Sequence, residues 1–262
     1  MIDIVPIAEP ELITFNASIG RRIAIRYRPS RDKQPTIVFL PGYASDMEGA
    51  KAVAIDRFCA GRGLGCLRLD YSGTGRSPGD FADGTLTRWI EEVEVAIDAA
   101  APTGGIILAG SSMGGWIALH VALRRRDQVA GVLGIAAAPD FTEWGFSAED
   151  EEIMLRDGLL ERANPYGPEK SVTHLGFWRS GEMLKLLGRP IDLAIPVRLV
   201  HGADDEVVPV AIALRLLERL GSSDVQLRLI KGAGHRLSEA HEIDAILAEL
   251  DSLVEIVNRK KS

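Results

Sequence analysis

Gly105-Ile106-Ile107-Leu108-Ala109-Gly110-Ser111-Ser112-Met113-Gly114-Gly115-Trp116-Ile117-Ala118-Leu119-His120-Val121-Ala122-Leu123 holds an apolar run, a knot of small residues and an apolar stretch of helical length. The run Gly105 to Ala109 predicts a buried strand, and Met113 to Arg125 predicts a helix. Between them Gly110-Ser111-Ser112-Met113-Gly114 is a G-x-S-x-G pentapeptide. A sharp strand-to-helix turn of this kind pushes the central hydroxyl out above a sheet, and the glycines on either side relieve the crowding. The register selects Ser112, because Ser111 would have Ala109 and Met113 at the two glycine positions.

The same alternation runs along most of the chain. Glu11 to Ala17 and Arg22 to Arg28 alternate as an opening hairpin around Ser18-Ile19-Gly20. Apolar runs bounded by turn residues then recur at Thr36 to Leu40, Cys66 to Leu69, Gly105 to Ala109, Val129 to Ile135, Val197 to Val200 and Val225 to Ile230. They predict buried parallel strands. Helical patterns at Met47 to Ala60, Leu86 to Ala100, Met113 to Arg125, Pro209 to Leu220 and Glu239 to Val257 separate them, so the fold class is α/β, a mostly parallel sheet with helices on both faces.

One segment breaks the rhythm. Asp140 to Ala194 shows no strand signal, only short helical patterns punctuated by Asn164-Pro165, Gly167-Pro168 and Arg189-Pro190. The expected organisation is a core of residues 1–139 and 195–262 with a helical lid, 140–194, inserted in it. The lid has 11 acidic and 6 basic residues, net −5 of the chain's −7, and holds Phe141, Trp144, Phe146, Tyr166, Phe177 and Trp178. An acidic outside over an apolar inside fits that composition. Trp144, Phe146 and Trp178 are the candidate substrate contacts.

Composition narrows the function classes. The 262 residues are 46% hydrophobic and 26% charged, a globular balance that excludes general disorder. Thirty basic against 37 acidic residues argue against a broad nucleic-acid surface. Cys59 and Cys66 are too few for a disulfide framework or thiolate zinc site and are expected as packed, reduced thiols. The start, Met1-Ile2-Asp3-Ile4-Val5-Pro6, has neither a basic and apolar leader nor the look of a transit peptide, which predicts a cytoplasmic protein. The longest weakly polar stretch, Val129 to Pro139, is far short of the ~20 residues of a membrane span.

A serine needs a base, and the base needs an orienting carboxylate. Two later strands end in suitable residues: Val197 to Val200 runs into His201-Gly202-Ala203-Asp204-Asp205, and Val225 to Ile230 into Lys231-Gly232-Ala233-Gly234-His235. Both ends lie on the sheet edge where Ser112 emerges. His120 and His241 fall within helices, His174 in the lid, and His201 directly after a strand, where it suits shaping the acid loop. His235 therefore remains as the base. For the acid, Asp204, Asp205 and Asp140 stay open. Oxyanion donors are expected from the backbone N–H of Met113 and of Tyr43, in the Pro41-Gly42-Tyr43 loop after the third strand, leaving both side chains to line the pocket. No H-E-x-x-H or Cys/His ligand cluster suggests a metal, no cofactor is implied, and Gly73-Thr74-Gly75-Arg76-Ser77-Pro78 lacks the third glycine of a dinucleotide loop and reads as a structural turn.

Phe39-Leu40-Pro41-Gly42-Tyr43, Asp70-Tyr71-Ser72-Gly73-Thr74-Gly75-Arg76-Ser77, Gly110 to Trp116, and His201-Gly202 with Asp205 and Val208-Pro209 together resemble the α/β-hydrolase family over nearly the whole chain. The last stretch is similar to the family pattern H-G-x-x-D-x-x-V-P, whose aspartate is the triad acid, and the resemblance thereby implies Asp205. The P-G-Y, D-Y-S-G and G-S-S-x-G-G-W stretches with His235-Arg236 resemble an esterase and thioesterase branch of that family. The resemblance implies a serine hydrolase acting on a small-molecule ester or thioester, or on an acylated protein. Two alternatives are a peptide or amide hydrolase with the same residues and a ligand receptor without turnover.

Overall fold

The computed structural model describes residues 9–16, 20–100, 102–164 and 167–259. The first half runs β1 (Leu12–Asn16), β2 (Arg22–Arg28), β3 (Thr36–Leu40), α1 (Ala50–Arg62), β4 (Gly65–Asp70), a 3-10 turn (Phe81–Asp83), α2 (Leu86–Ala100), β5 (Ile106–Ser111), α3 (Met113–Arg124) and β6 (Val129–Ile135). Then come α4 (Phe141–Trp144), α5 (Ala148–Asp157), β7 (Leu159–Arg162), β8 (Ser171–His174), α6 (Leu175–Met183), β9 (Val197–Gly202), α7 (Val210–Arg219), β10 (Val225–Ile230) and α8 (Ala240–Arg259). The predicted turn residues Ser18 and Ile19, and Tyr166 of the aromatic set, lie outside the described residues.

Eight strands form one sheet in the order β1-β2-β4-β3-β5-β6-β9-β10. The first two pairings are antiparallel and the rest parallel. Every residue of β3, β4 and β5 is buried, as strands covered on both faces must be. On one face α1 and α8 contribute Ile55, Cys59, Ile246 and Leu250; on the other α2, α3 and α7 contribute Trp89, Ile90, Ile117, Ile212 and Leu216. Cys59 and Cys66 are free, buried thiols, and burial pushes the Cys59 thiol well up.

The chain steps from β3 to β4 on one side and returns to lay β5 against the other side of β3. Connections that diverge in this way leave a crevice at the strands' carboxyl ends, where ligands of open α/β sheets bind. Leu40 is in register with Gly110, which sets the loop after β3 beside the turn after β5.

Three expectations from the sequence are corrected. Val225 to Ile230 is a parallel strand but not a buried one: it lies at the sheet edge, with Leu229 46% exposed. The helix expected from Met47 begins at Ala50, because the Met47 N–H is held by the Asp70 carboxylate at 2.7 Å instead of entering a helix. Residues 140–194 are not purely helical, since β7 and β8 pair as an antiparallel ribbon with Leu160 opposite Thr173. Strands of four residues show too little alternation to register in a sequence, and pairing with each other decides them.

Among the described residues, 140–194 add no strand to the large sheet. Asp140 braces the segment internally, and α3 anchors it. The Asp140 carboxylate accepts the Leu186 and Leu187 N–H groups at 2.8 and 2.6 Å, and burial raises its pKa. Trp116 Nε1–H and His120 Nε2–H both donate to the Leu184 carbonyl, at 3.2 and 2.9 Å. Phe177 is buried within the main core.

Candidate active site

Ser112 joins β5 to α3 at φ 54° and ψ −119°, a conformation that non-glycine residues rarely adopt and that costs of order 1–3 kcal/mol. Its neighbours hold it there. The Ser112 N–H donates to Ile135 O at 2.9 Å, while its carbonyl accepts from Gly115 and Ala138 at 2.9 and 3.1 Å. The flanking glycines are steric necessities: a Cβ on Gly110 would stand 2.2 Å from Gly114 O, and one on Gly114 would stand 2.0 Å from Leu40 O. Close packing of turn, strand and loop is what aims the hydroxyl outward.

Ser112 Oγ lies 3.2 Å from His235 Nε2, and His235 Nδ1 lies 2.9 Å from Asp205 Oδ2. The other carboxylate oxygen of Asp205 accepts the Val207 and Val208 N–H groups at 2.9 and 2.8 Å. Burial raises the Asp205 pKa, but the bonds from His235, Val208 and Val207 outweigh it and hold the carboxyl below its usual range. An anionic, fully bonded carboxylate keeps the imidazole with its proton on Nδ1 and its acceptor facing the serine.

The two rival acids lie elsewhere. Asp204 is exposed, and Asp140 caps residues 186 and 187. Of the other histidines, His120 and His201 are buried, and His201 Nε2 lies 2.8 Å from Val208 O, bracing the loop that carries Asp205. His241 is exposed, and the His174 ring sits edge-on to Phe81.

Gly42 brings the loop after β3 against the serine, since a Cβ there would be 3.3 Å from Ser112 Cβ and 3.9 Å from Oγ. Tyr43 follows Gly42 immediately in this loop. The Met113 N–H, at the first position of α3, lies outside the helical hydrogen-bond ladder. The side chains differ from expectation. Met113 is fully buried in the core. The Tyr43 phenol donates to Val172 O at 2.9 Å, and burial pushes its pKa up. Its ring meets Phe177, Phe81 and Phe141 at 4.7, 5.1 and 6.0 Å. Beside this loop a cavity of about 230 Å³ is lined by Ala44, Ser45, Asp46, Gly73, Thr74, Gly75 and Phe81.

Trp144, Phe146 and Trp178 are half-buried. Trp144 Nε1–H donates to Pro139 O at 2.9 Å and Trp178 Nε1–H to Thr142 O at 3.2 Å, while Arg162 lies over the Phe146 ring at 4.7 Å. The structure thus brings Phe141 and Phe177, not these three, to the Tyr43 ring. Single-sequence patterns carry no signal for which lid aromatic points inward. Among the described residues, no group of three His, Cys, Asp or Glu could hold a metal ion, and no helix is long and apolar enough to cross a membrane.

Residues 31–151 match the family model described as serine aminopeptidase, S33. The chain is 36% identical over 236 residues, 88% of its length and 76% of the relative's, to the mitochondrial palmitoyl-protein thioesterase ABHD10 of Pongo abelii. It is 28% identical to the monoacylglycerol lipase of Mycolicibacterium smegmatis, over 87% of this chain and 90% of the other. The structure of mouse alpha/beta hydrolase domain-containing protein 10 superposes with a TM-score of 0.86 at 34% identity, covering 94% of this chain and 98% of that one. With this sheet order and this similarity, the chain belongs to the α/β-hydrolase family.

Proposed function

We propose that the protein is a serine hydrolase that cleaves carboxylic esters or thioesters of apolar acyl groups, with Ser112 as nucleophile, His235 as base and Asp205 as orienting acid. The observation that carries this is the continuous relay of 3.2 and 2.9 Å from a strained, outward-facing serine through the imidazole to a buried carboxylate. Ser112 Oγ attacks the acyl carbon while its proton passes to Nε2, and the charge that develops on the carbonyl oxygen is met by the Tyr43 and Met113 N–H groups. The leaving alcohol or thiol takes the proton from Nε2, and water, activated by the same nitrogen, releases the acid and restores Ser112.

An apolar acyl group is supported by the rings around Tyr43 and by the relatives' names, one a palmitoyl-protein thioesterase and one a monoacylglycerol lipase. Residues 140–194 serve as the lid that sets acyl preference, with Trp144, Phe146 and Trp178 as its substrate contacts. The substrate is a small-molecule ester or thioester or an acylated protein. A cytoplasmic location is part of this reading, whereas the Pongo abelii relative is named mitochondrial.

A fluorophosphonate probe tests the nucleophile, and p-nitrophenyl esters and acyl thioesters of graded chain length test the substrate class. One covalent label on Ser112, lost in Ser112→Ala, with turnover of the ester or thioester series, is the expected result. Binding of esters without turnover or labelling would favour a receptor, and turnover of amides alone would favour a peptidase.

A further inference from the structure

His235 sits on a segment that needs holding from both sides. Its amino-terminal flank, Lys231 to Gly234, is tied down by backbone: Ala203 N–H donates to Ile230 O at 2.8 Å and Asp204 N–H to Ala233 O at 3.0 Å. Its carboxyl-terminal flank is strained, because Leu237 is held at φ 44°, where a side chain is unfavourable unless its surroundings impose it. Leu237 is itself 1% exposed. Between them, the carbonyl of Arg236 accepts a hydrogen bond from Lys51 Nζ.

Lys51 stands in the first turn of α1, directly after the loop that carries Gly42 and Tyr43. That loop is pinned in turn by the 2.7 Å bond from Met47 N–H to the Asp70 carboxylate, which also accepts the Arg76 N–H at 2.7 Å. One rigid element therefore carries the loop that passes Ser112 and the ammonium that grips the loop of the base. Residues so far apart in the chain share this contact only because α1 packs beside α8 at the carboxyl edge of the sheet. An ammonium is a costly choice for mere packing in this half-buried place: burial lowers the Lys51 pKa to about 8, with Arg236 lowering it further and Glu242 opposing.

On the reading of His235 as the base, we propose that Lys51 is a positioning residue that holds the Arg236 carbonyl and so keeps His235 Nε2 in line with Ser112 and the oxyanion loop. Lys51 touches no reacting atom. Its loss lets the imidazole wander from the line of attack, and a displacement of about 1 Å from a change outside the reacting groups can cost ~10²-fold in rate. The loss falls on kcat, since no substrate group is removed. The charged ammonium is the stronger donor, so the grip weakens as Lys51 loses its proton. The charged groups that face Lys51 are Arg236 on the base loop and Glu242 on α8, whose carboxylate accepts the Glu239 N–H at 2.8 Å.

The test measures kcat and KM for a p-nitrophenyl ester from about pH 6.5 to 9.5 with wild type, Lys51→Met and Lys51→Arg, alongside thermal melts. Lys51→Met is expected to lower kcat by ~10- to 100-fold with KM within about twofold. Lys51→Arg is expected to recover most of the rate and to move the alkaline fall near pH 8 upward by more than one pH unit, because its guanidinium stays charged. A Lys51→Met enzyme with unaltered kcat, or with kcat and KM altered equally, overturns the proposal. If Lys51→Met does not fold, the comparison of wild type with Lys51→Arg decides: an unmoved alkaline limb overturns the tether. A wild type that neither turns over esters nor takes the fluorophosphonate removes the base and the tether together, whereas an active wild type with an unaffected Lys51→Met removes the tether alone.

Discussion

The Tyr43 phenol donates a 2.9 Å hydrogen bond to the Val172 carbonyl and thereby ties the loop beside Ser112 to the β7–β8 ribbon. On the proposed function, the same residue serves the oxyanion with its backbone N–H and holds the β7–β8 ribbon with its side chain.

Tyr43→Phe keeps the ring among Phe81, Phe141 and Phe177 but removes that bond. A loss of about 0.5–1.5 kcal/mol of stability is expected, together with a lower kcat, measured by urea unfolding and by ester turnover. Unchanged kcat across the chain-length series would show that ribbon and loop are independent.

Asp205→Asn should keep the Val207 and Val208 bonds through its carbonyl oxygen and turn its amide toward His235 Nδ1. That amide donates where the carboxylate accepted, so the imidazole proton moves to Nε2 and can no longer accept from Ser112. The expected loss in kcat is as much as ~10⁴-fold. Asp204→Asn, at an exposed position, should stay within about twofold of wild type, and equal losses in the two variants would count against Asp205 as the acid.

Backbone strain at Ser112 gives a stability signature. Ser112→Ala retains the Cβ at φ 54°, whereas Ser112→Gly relieves it. Ser112→Gly should therefore be the more stable of the two inactive variants, by about 1 kcal/mol after the entropic cost of glycine. Thermal melts in which the alanine variant equals or exceeds the glycine variant would remove the claim of strain.

His120 supplies an acid-sensitive contact. Burial lowers its pKa to about 4, although its bond to Leu184 O raises it. The unfolded chain takes up this proton near pH 6.5, so the contribution is present in full above that pH and is lost as the pH falls toward 4. At pH 5 the loss is about 2 kcal/mol. His120→Gln, which keeps a donor for Leu184 O, should flatten the fall in urea-unfolding free energy between pH 7 and 5 by roughly that amount, and an identical fall in both proteins would place its origin elsewhere.

Replacing Trp144, Phe146 or Trp178 by Ala should shift the preferred acyl length while fluorophosphonate labelling of Ser112 persists. Phe177→Ala, in contrast, opens a cavity in the core and should cost about 3–5 kcal/mol. An unchanged chain-length profile in all three lid variants would assign those rings to packing of the lid alone.

Local patterns were enough to read the alternation of strands and helices, the glycines around Ser112 and the place of His235 after a strand, because each depends on residues close in the chain. The periodicities of 2.0 and 3.6 and the crowding at a strand-to-helix turn are properties of short segments. The acid was different. Local chemistry left Asp204, Asp205 and Asp140 equal, resemblance pointed to Asp205, and only the folded chain shows Asp205 alone reaching His235 while Asp140 holds Leu186 and Leu187. The β7–β8 ribbon, the exposed face of β10, the Tyr43 bond to Val172 and the Lys51 grip on Arg236 were likewise decided by tertiary structure. Each is a contact between segments remote in sequence, and its energy depends on the distance and burial that the packed sheet and helices impose, which no local pattern encodes.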